Sequence, residues 1–433
     1  MTSKRILLTG LSTYWGGRLA QALEQDPEIE TVIGIDRRPP KVALERTEFV
    51  QVSDAHSLIR RIVDAAEIDT VVDTRLVVDP IVTSRSRAHE NNVIGTMNVL
   101  AACSGPASPV RKLVFKSSAR YYGAEQDDPA YFTEGMRRPH PPKTWIERDI
   151  VEAESSVRDF RVRNPQVTVT TLRFANALGP DLKTSWQAFL DLPAIPAILG
   201  FDPRLQFLHE DDMANCLLHA VLYDLDGTYN CAADGVLVLS EIAGLLGKSL
   251  APVLPPWGTG AAVGVLRRAG LPLHGDLLPQ LRFGRAIDNR AWKATGFRYQ
   301  YTTRETVLKL RQQQRLEPIL RGTNGAYRYE SAVEEFLRFS PSVRQANARP
   351  RLAPANRAPR DHDGHPGEAE APAEPRTPKG PGGYADLTAK EILALLPSLE
   401  RADLAALRAH EEANAGRQSV LRGIDRLLSR SGT

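Results

Sequence analysis

The chain has 433 residues, with 55 basic side chains against 52 acidic ones. That length suits two or three folding units, and the near-even charge gives no broad attraction to nucleic acid or to a lipid surface, which leaves small-molecule chemistry as the class to look for. Cys103, Cys216 and Cys231 are widely spaced in apolar segments, outside any metal-ligand or redox spacing, so they read as core residues in a reducing compartment, with no metal site implied. Only Ile6, Leu7 and Leu8 separate the basic start from Thr9, too short an apolar run for a signal peptide, and the expectation is a cytoplasmic protein.

In chain order, the first element is a strand through Ile6-Leu7-Leu8, then a glycine turn, Thr9-Gly10-Leu11-Ser12-Thr13-Tyr14-Trp15-Gly16-Gly17, then a helix. Gly10 permits the tight turn. Gly16 or Gly17 lets the helix pack close while its free N–H groups face a pyrophosphate, the arrangement of a dinucleotide site to which Ser12 and Thr13 also belong. About twenty residues on, the second strand ends in Asp36, whose carboxylate suits the adenosine ribose hydroxyls and favours NAD over NADP. Arg37 and Arg38 follow at once and suit a 2′-phosphate, so NADP stays open; Asp54, after the next strand, is counted with the cofactor contacts.

Further β-branched runs at Thr70–Val72, Leu113–Phe115 and Val167–Leu172 alternate with helical stretches such as Ser84–Cys103 and Trp145–Arg163. This is the signature of an α/β fold with a doubly wound parallel Rossmann sheet, expected over residues 1–179. Residues 180–340 break into pieces interrupted by proline and glycine and read as a smaller capping lobe interleaved with the last sheet elements. Its apolar stretch Trp186–Phe201 also suits a greasy substrate, and Arg204 offers a guanidinium to a diphosphate. The uncharged run Ser249–Leu266 contains Pro252, Pro255 and Pro256, which argues against a membrane span. Residues 341–383 are rich in Pro, Ala, Arg and Glu and read as a disordered linker. Residues 384–433 carry a capping box at Thr388–Glu391 and leucines at helical spacing, a small helical module suited to a protein partner, a second copy in a homodimer, or standing alone.

Four ordered motifs resemble the extended short-chain dehydrogenase/reductases of the NAD-dependent epimerase/dehydratase family, over roughly residues 4–320. Besides the glycine turn, Asn92-Val93-Ile94-Gly95-Thr96 is similar to the family's Asn-x-x-Gly-Thr helix, and Ser117-Ser118-Ala119-Arg120-Tyr121-Tyr122-Gly123 to its Ser-Ser-x-x-x-Tyr-Gly strand end. Arg173–Pro180 and Phe207–Ala214 match two more motifs. The resemblance implies an NAD(P) site that includes Asn92 and Ser117, substrate contacts at Asn176, Arg204 and His209, and catalysis by a Ser/Thr, a Tyr and a Lys four residues after it. The first falls on Ser118. With Glu152 in the acidic position of the family's helix, Thr144 stands for the tyrosine and Arg148 for the lysine. A threonine has no accessible anionic form near neutral pH, so Thr144 is no general base, while Arg148 still donates hydrogen bonds to the nicotinamide ribose. Thr13 replaces the turn's middle glycine, and Asp73-Thr74-Arg75-Leu76 replaces a His-Leu-Ala-Ala-like stretch, so that Arg75 either reaches the pyrophosphate or blocks the cleft. The Asp211-Asp212 pair is expected to cap the helix after His209. Two readings follow: an NAD-dependent epimerase, dehydratase or reductase acting on a nucleotide-linked sugar or related alcohol, or a binding protein that holds the cofactor without turnover and recruits a partner through its helical tail.

Overall fold

A computed structural model describes residues 3–52, 55–254 and 275–316, with positions 264, 408, 420–422 and 424–425 besides. Asp54, the linker over 341–383, most of the helical module over 384–433 and the run beyond Leu254 lie outside the described residues. The chain divides into two compact units, Met1–Arg351 and Leu352–Thr433. Within the second, Val420 and Ile424 are buried and Arg408 pairs with Asp425 at 2.7 Å.

In the first unit, strand β1 (Arg5–Thr9) leads into helix α1 (Tyr14–Leu23), followed by β2 (Thr31–Asp36), β3 (Thr47–Gln51), α2 (His56–Ala65) and β4 (Thr70–Asp73). Next come α3 (Arg85–His89), a π-helical turn over Glu90–Gly95, α4 (Thr96–Cys103), β5 (Lys112–Ser118) and α5 (Trp145–Arg163). The chain continues through β6 (Thr168–Phe174), β7 (Asn176–Leu178), α6 (Ser185–Leu190), β8 (Ala194–Ile198), β9 (Arg204–Leu205), β10 (Phe207–His209), α7 (Glu210–Leu222) and β11 (Gly227–Cys231).

Seven strands form one parallel sheet in the order β11-β6-β5-β4-β1-β2-β3. Ile6, Leu7 and Leu8 are fully buried because helices cover both faces, which is why β1 reads as an unbroken apolar run. One face packs α2, α4 and α5 around Leu113, Phe115, Ile146 and Ile150; the other packs α1 and α7 around Leu8, Val114 and Leu217, with Cys216 and Cys231 among them. All three cysteines are buried thiols, as core residues should be. The strand order reverses between β1 and β4, so the crevice at their carboxyl ends is where a doubly wound sheet binds its ligand.

The sheet takes its last strand, β11, from beyond residue 180, and residues on both sides of that point belong to one compact unit. A third core cluster, beyond β7, gathers Trp186, Phe189, Leu190, Phe207 and Leu239. Trp186 and Phe189 are 2% and 0% exposed; the apolar side chains of α6 therefore stabilise the lobe and do not face a greasy substrate. Among the described residues no helix is long and apolar enough to cross a membrane, and Ser249–Leu254, the described start of the uncharged run, is a strand.

Candidate functional site

Gly10 adopts φ +83°, a left-handed conformation that a side chain would strain. A Cβ on Gly16 would lie 2.2 Å from the Gly10 carbonyl oxygen, so the start of α1 can press onto the turn only with glycine there. Thr13, in place of a glycine, has an ordinary φ of −74° and caps α1. Its N–H and its hydroxyl both donate to the Gly10 carbonyl (3.0 and 2.7 Å), and the same hydroxyl oxygen accepts the Gly16 N–H at 3.0 Å. The turn is therefore self-braced, and one of the helix-end donors is already satisfied.

At the end of β2, Asp36 accepts the Ser12 N–H and hydroxyl on one oxygen (2.9 and 2.7 Å) and the Arg38 N–H on the other (3.3 Å). The carboxylate thus ties the turn to the second strand and stays half-buried at the crevice. Arg37 is drawn away to Glu90 at 2.8 Å, which removes part of the charge that would have favoured a 2′-phosphate. Asn92 is fully buried, its amide oxygen accepting the Val77 N–H and its NH₂ donating to the Val77 carbonyl (2.7 and 2.8 Å). It pins the chain after β4 to the π-helical turn.

Arg75 folds back onto the end of β4, beside the Gly10 turn. It is 8% exposed and grips Asp73 through Nε and Nη2, both at 3.0 Å. A Cβ on Gly10 would meet its Cγ at 2.6 Å and one on Gly95 its Nη1 at 2.9 Å, so the arginine stem occupies the room that two glycines leave. Close by, Lys116 is 2% exposed and donates to the Leu76 carbonyl at 2.9 Å. Burial pushes its amine down to about 8, against the opposing pull of Asp73. Because the folded value lies below the ordinary lysine value of 10.5, the folded protein carries this charge at a cost below about pH 8, and stability rises as pH climbs from there towards about 10.5. Lys116→Met is expected to add on the order of 3 kcal/mol at neutral pH and to flatten that rise, as urea denaturation at several pH values will show.

Ser118 ends β5, 7% exposed, and its hydroxyl accepts the Arg120 N–H at 3.2 Å at the start of a 3₁₀ turn over Ala119–Tyr122. Ser117 donates to Glu154 of α5, and Glu154 holds the Arg173 guanidinium at 2.6 Å. The buried Glu154 therefore fixes which face of α5 looks at the strand ends. Four and eight residues before it are Ile150 and Ile146, both fully buried on the same face. Thr144 is the N-cap of α5, accepting the Glu147 N–H at 3.2 Å. Arg148 and Glu152 are exposed, and at about 100° per residue Arg148 points some 200° away from Ile146. Arg148 lies off the buried stripe of α5, and the inward acid is Glu154 instead of Glu152. The signal was in the sequence: Ile146, Ile150, Ala153, Val157 and Phe160 mark the buried stripe.

Other phenols and loop cations are committed. The Tyr122 hydroxyl donates to Asn230 at 2.9 Å and accepts from Arg173 at 2.8 Å; the Arg173 guanidinium also lies 3.6 Å from the Tyr121 ring centroid. His140 pairs with Asp127 and Lys143 with Glu125. On the lobe side, Asn176 donates to Gln280 at 3.0 Å, and the Arg204 side chain is exposed. His209 is 2% exposed; its own Nδ1 accepts the Asp211 N–H at 3.2 Å and caps α7. The cap expected of the acidic pair is thus supplied by the histidine, because Asp211 turns to Arg18 (3.3 Å) and Asp212 accepts the N–H groups of Gln300 and Tyr301 (2.8 and 3.0 Å). Burial raises Asp212 to about 6.

The model of the NAD dependent epimerase/dehydratase family matches residues 6–232. An uncharacterized protein of Mycobacterium tuberculosis is 34% identical over 310 residues, 70% of this chain and 82% of the relative. Among solved structures, the UDP-glucose 4-epimerase of Thermotoga maritima with UDP-glucose is similar with a TM-score of 0.55 and 18% identity, over 72% of this chain and 98% of that one. The dTDP-glucose 4,6-dehydratase of Bacillus anthracis in complex with NAD has a TM-score of 0.54 and 17% identity, over 72% and 97%.

Proposed function

The chain belongs to the NAD-dependent epimerase/dehydratase family, and from that premise we propose that it binds NAD and a nucleotide-linked sugar or related alcohol without the family's proton relay. The observation that carries this reading is the inward face of α5. With Glu154 in the helix's acidic position, Ile146 takes the place of the tyrosine and Ile150 that of the lysine. An alkyl side chain neither takes a proton nor lowers a neighbour's pKa, so Ser118 is left without a base to pass a proton to.

The cofactor fit rests on what is retained. Gly10 and Gly16 allow backbone and diphosphate to approach, and Asp36 stands at the strand end where ribose hydroxyls would meet it. When bound, NAD supplies a hydride acceptor; this chain's residues would hold it and orient it over Ser118. The protein's role on this reading is that of a binding protein whose occupied state is the signal.

The full chain should be melted with NAD, NADH and NADP. NAD or NADH at a hundredfold excess over Kd is expected to stabilise by about 2.7 kcal/mol, with NADP weaker and Asp36→Ala abolishing the shift. Mixed with UDP-glucose or dTDP-glucose, the NAD complex should show no change in nicotinamide absorbance and no epimer or dehydrated product. Turnover by the wild-type chain, lost in Ser118→Ala, would sink the proposal.

A further inference from the structure

Among the described residues, Arg75, Arg120, Arg173 and Arg285 are nine-tenths or more buried as whole residues. Two are neutralised, Arg75 by Asp73 at 3.0 Å and Arg173 by Glu154 at 2.6 Å. Burying a guanidinium is tolerated when a carboxylate and hydrogen bonds replace its water. The other two lack that. Arg120 is 5% exposed, and among the described residues its guanidinium donates to no protein acceptor and pairs with no carboxylate; Arg285, 9% exposed, donates through Nη1 to the Gly123 carbonyl at 3.0 Å and pairs with none either.

The two are neighbours by construction. Arg120 lies on the 3₁₀ turn that starts at Ser118, and Arg285 reaches the end of the same turn at Gly123. A third guanidinium, Arg138, sits under the turn and donates to the carbonyls of Arg120 and Tyr121 (3.1 and 3.0 Å), but it is paired with Glu147 at 2.7 Å. Burial first, then the charges of Arg120 and Arg138, hold Arg285 well below the ordinary guanidinium range; Glu147 and Asp128 oppose this only in part. Since a guanidinium stays charged in proteins, the fold holds Arg285 charged at a cost, burial first and the neighbouring guanidinium charges second. Such a cost persists where a ligand offsets it.

We infer that Arg120 and Arg285 form an anion site beside Ser118, where a carboxylate or phosphoryl group of the molecule held in the cleft is bound by two guanidinium forks. Planar forks match both groups bidentately, and buried charge-assisted bonds of this kind are the strong ones. The site therefore narrows the substrate class of the preceding section: beyond any diphosphate, the ligand carries an acid on the part that meets Ser118. This inference rests on the cleft being a binding site, and its test uses anions without a nucleotide, so that it can fail while nucleotide binding stands, or the reverse.

Full-length wild-type, Arg120→Met and Arg285→Met chains should be melted in malonate, inorganic phosphate and chloride at matched ionic strength. For the wild type, malonate or phosphate is expected to raise the melting temperature by about 5 °C over chloride, and whichever does so identifies the acid. Each variant should lose that increment, because one fork alone leaves the anion half-satisfied. In chloride, Arg120→Met should melt no lower than the wild type, since it removes a buried repulsion; a merely structural arginine would show the opposite. The site is overturned if neither anion stabilises the wild type more than chloride, if the variants keep the increment, or if Arg120→Met melts clearly lower in chloride.

Discussion

The Ile146→Tyr, Ile150→Lys double variant, loaded with NAD and given UDP-glucose, is expected to show hydride exchange at least 10²-fold above the wild type, since positioned acid–base groups contribute about 10²- to 10⁴-fold. The Thr144→Tyr, Arg148→Lys variant is expected to show none. The difference is one of helix phase. Residues 146, 150 and 154 share the face that Glu154 presses against Ser117 and Arg173, whereas Thr144 is spent as a cap and Arg148 is exposed. Both isoleucines are fully buried, so the larger side chains will cost about 1–3 kcal/mol of stability, and rates should be taken per folded molecule below the transition. Exchange in the 144/148 variant equal to that in the 146/150 variant would show that the phase of α5 has been misassigned.

The second large effect concerns stability. Glu154 accepts from Arg173 through Nε at 3.0 and 3.1 Å and through Nη2 at 2.6 Å, while Arg173 passes a further bond to Tyr122, which bonds Asn230 on β11. One ion pair therefore links α5, β5, β6, the turn after Ser118 and the last strand. Glu154→Ala is expected to cost about 3–5 kcal/mol, because it strands a buried guanidinium. Glu154→Leu combined with Arg173→Met should cost much less than the two single changes added together, since neither leaves a charge unpaired. Denaturant midpoints for the four proteins check this, and additive costs would mean that the pair contributes no coupling.

The two effects bear on the same conclusion. Glu154 and Arg173 hold Ser118 at the strand end and brace the turn after it, while the face of α5 that carries Glu154 turns Ile146 and Ile150 inward. On the proposed reading, Arg120 and Arg285 supply charge where the family's proton relay is missing.

Local chemistry made the fold class legible in the sequence. A strand buried on both faces shows as an apolar run, a turn that requires φ +83° shows as Gly10, and a helix that must touch that turn shows as Gly16. Asp36 at a strand end and Ser118 before a turn are legible for the same reason: each is placed by its own short segment. Partner choice is another matter, because it is set by groups distant in the chain. Arg75 turned onto Asp73 because the glycines at 10 and 95 left room for its stem. His209, not the acids after it, became the cap because Asp211 and Asp212 found partners 193 and 88 residues away. The phase of α5 lies between the two cases. Its apolar stripe is written in the sequence, but a motif's spacing alone does not separate an exposed Arg148 from a buried Ile150; the packing of Glu154 against two strands decides which of them turns inward. Only the tertiary structure brings Arg120 and Arg285, 165 positions apart by their numbering, to opposite ends of one turn, where a charge that would be ordinary at the surface becomes a site.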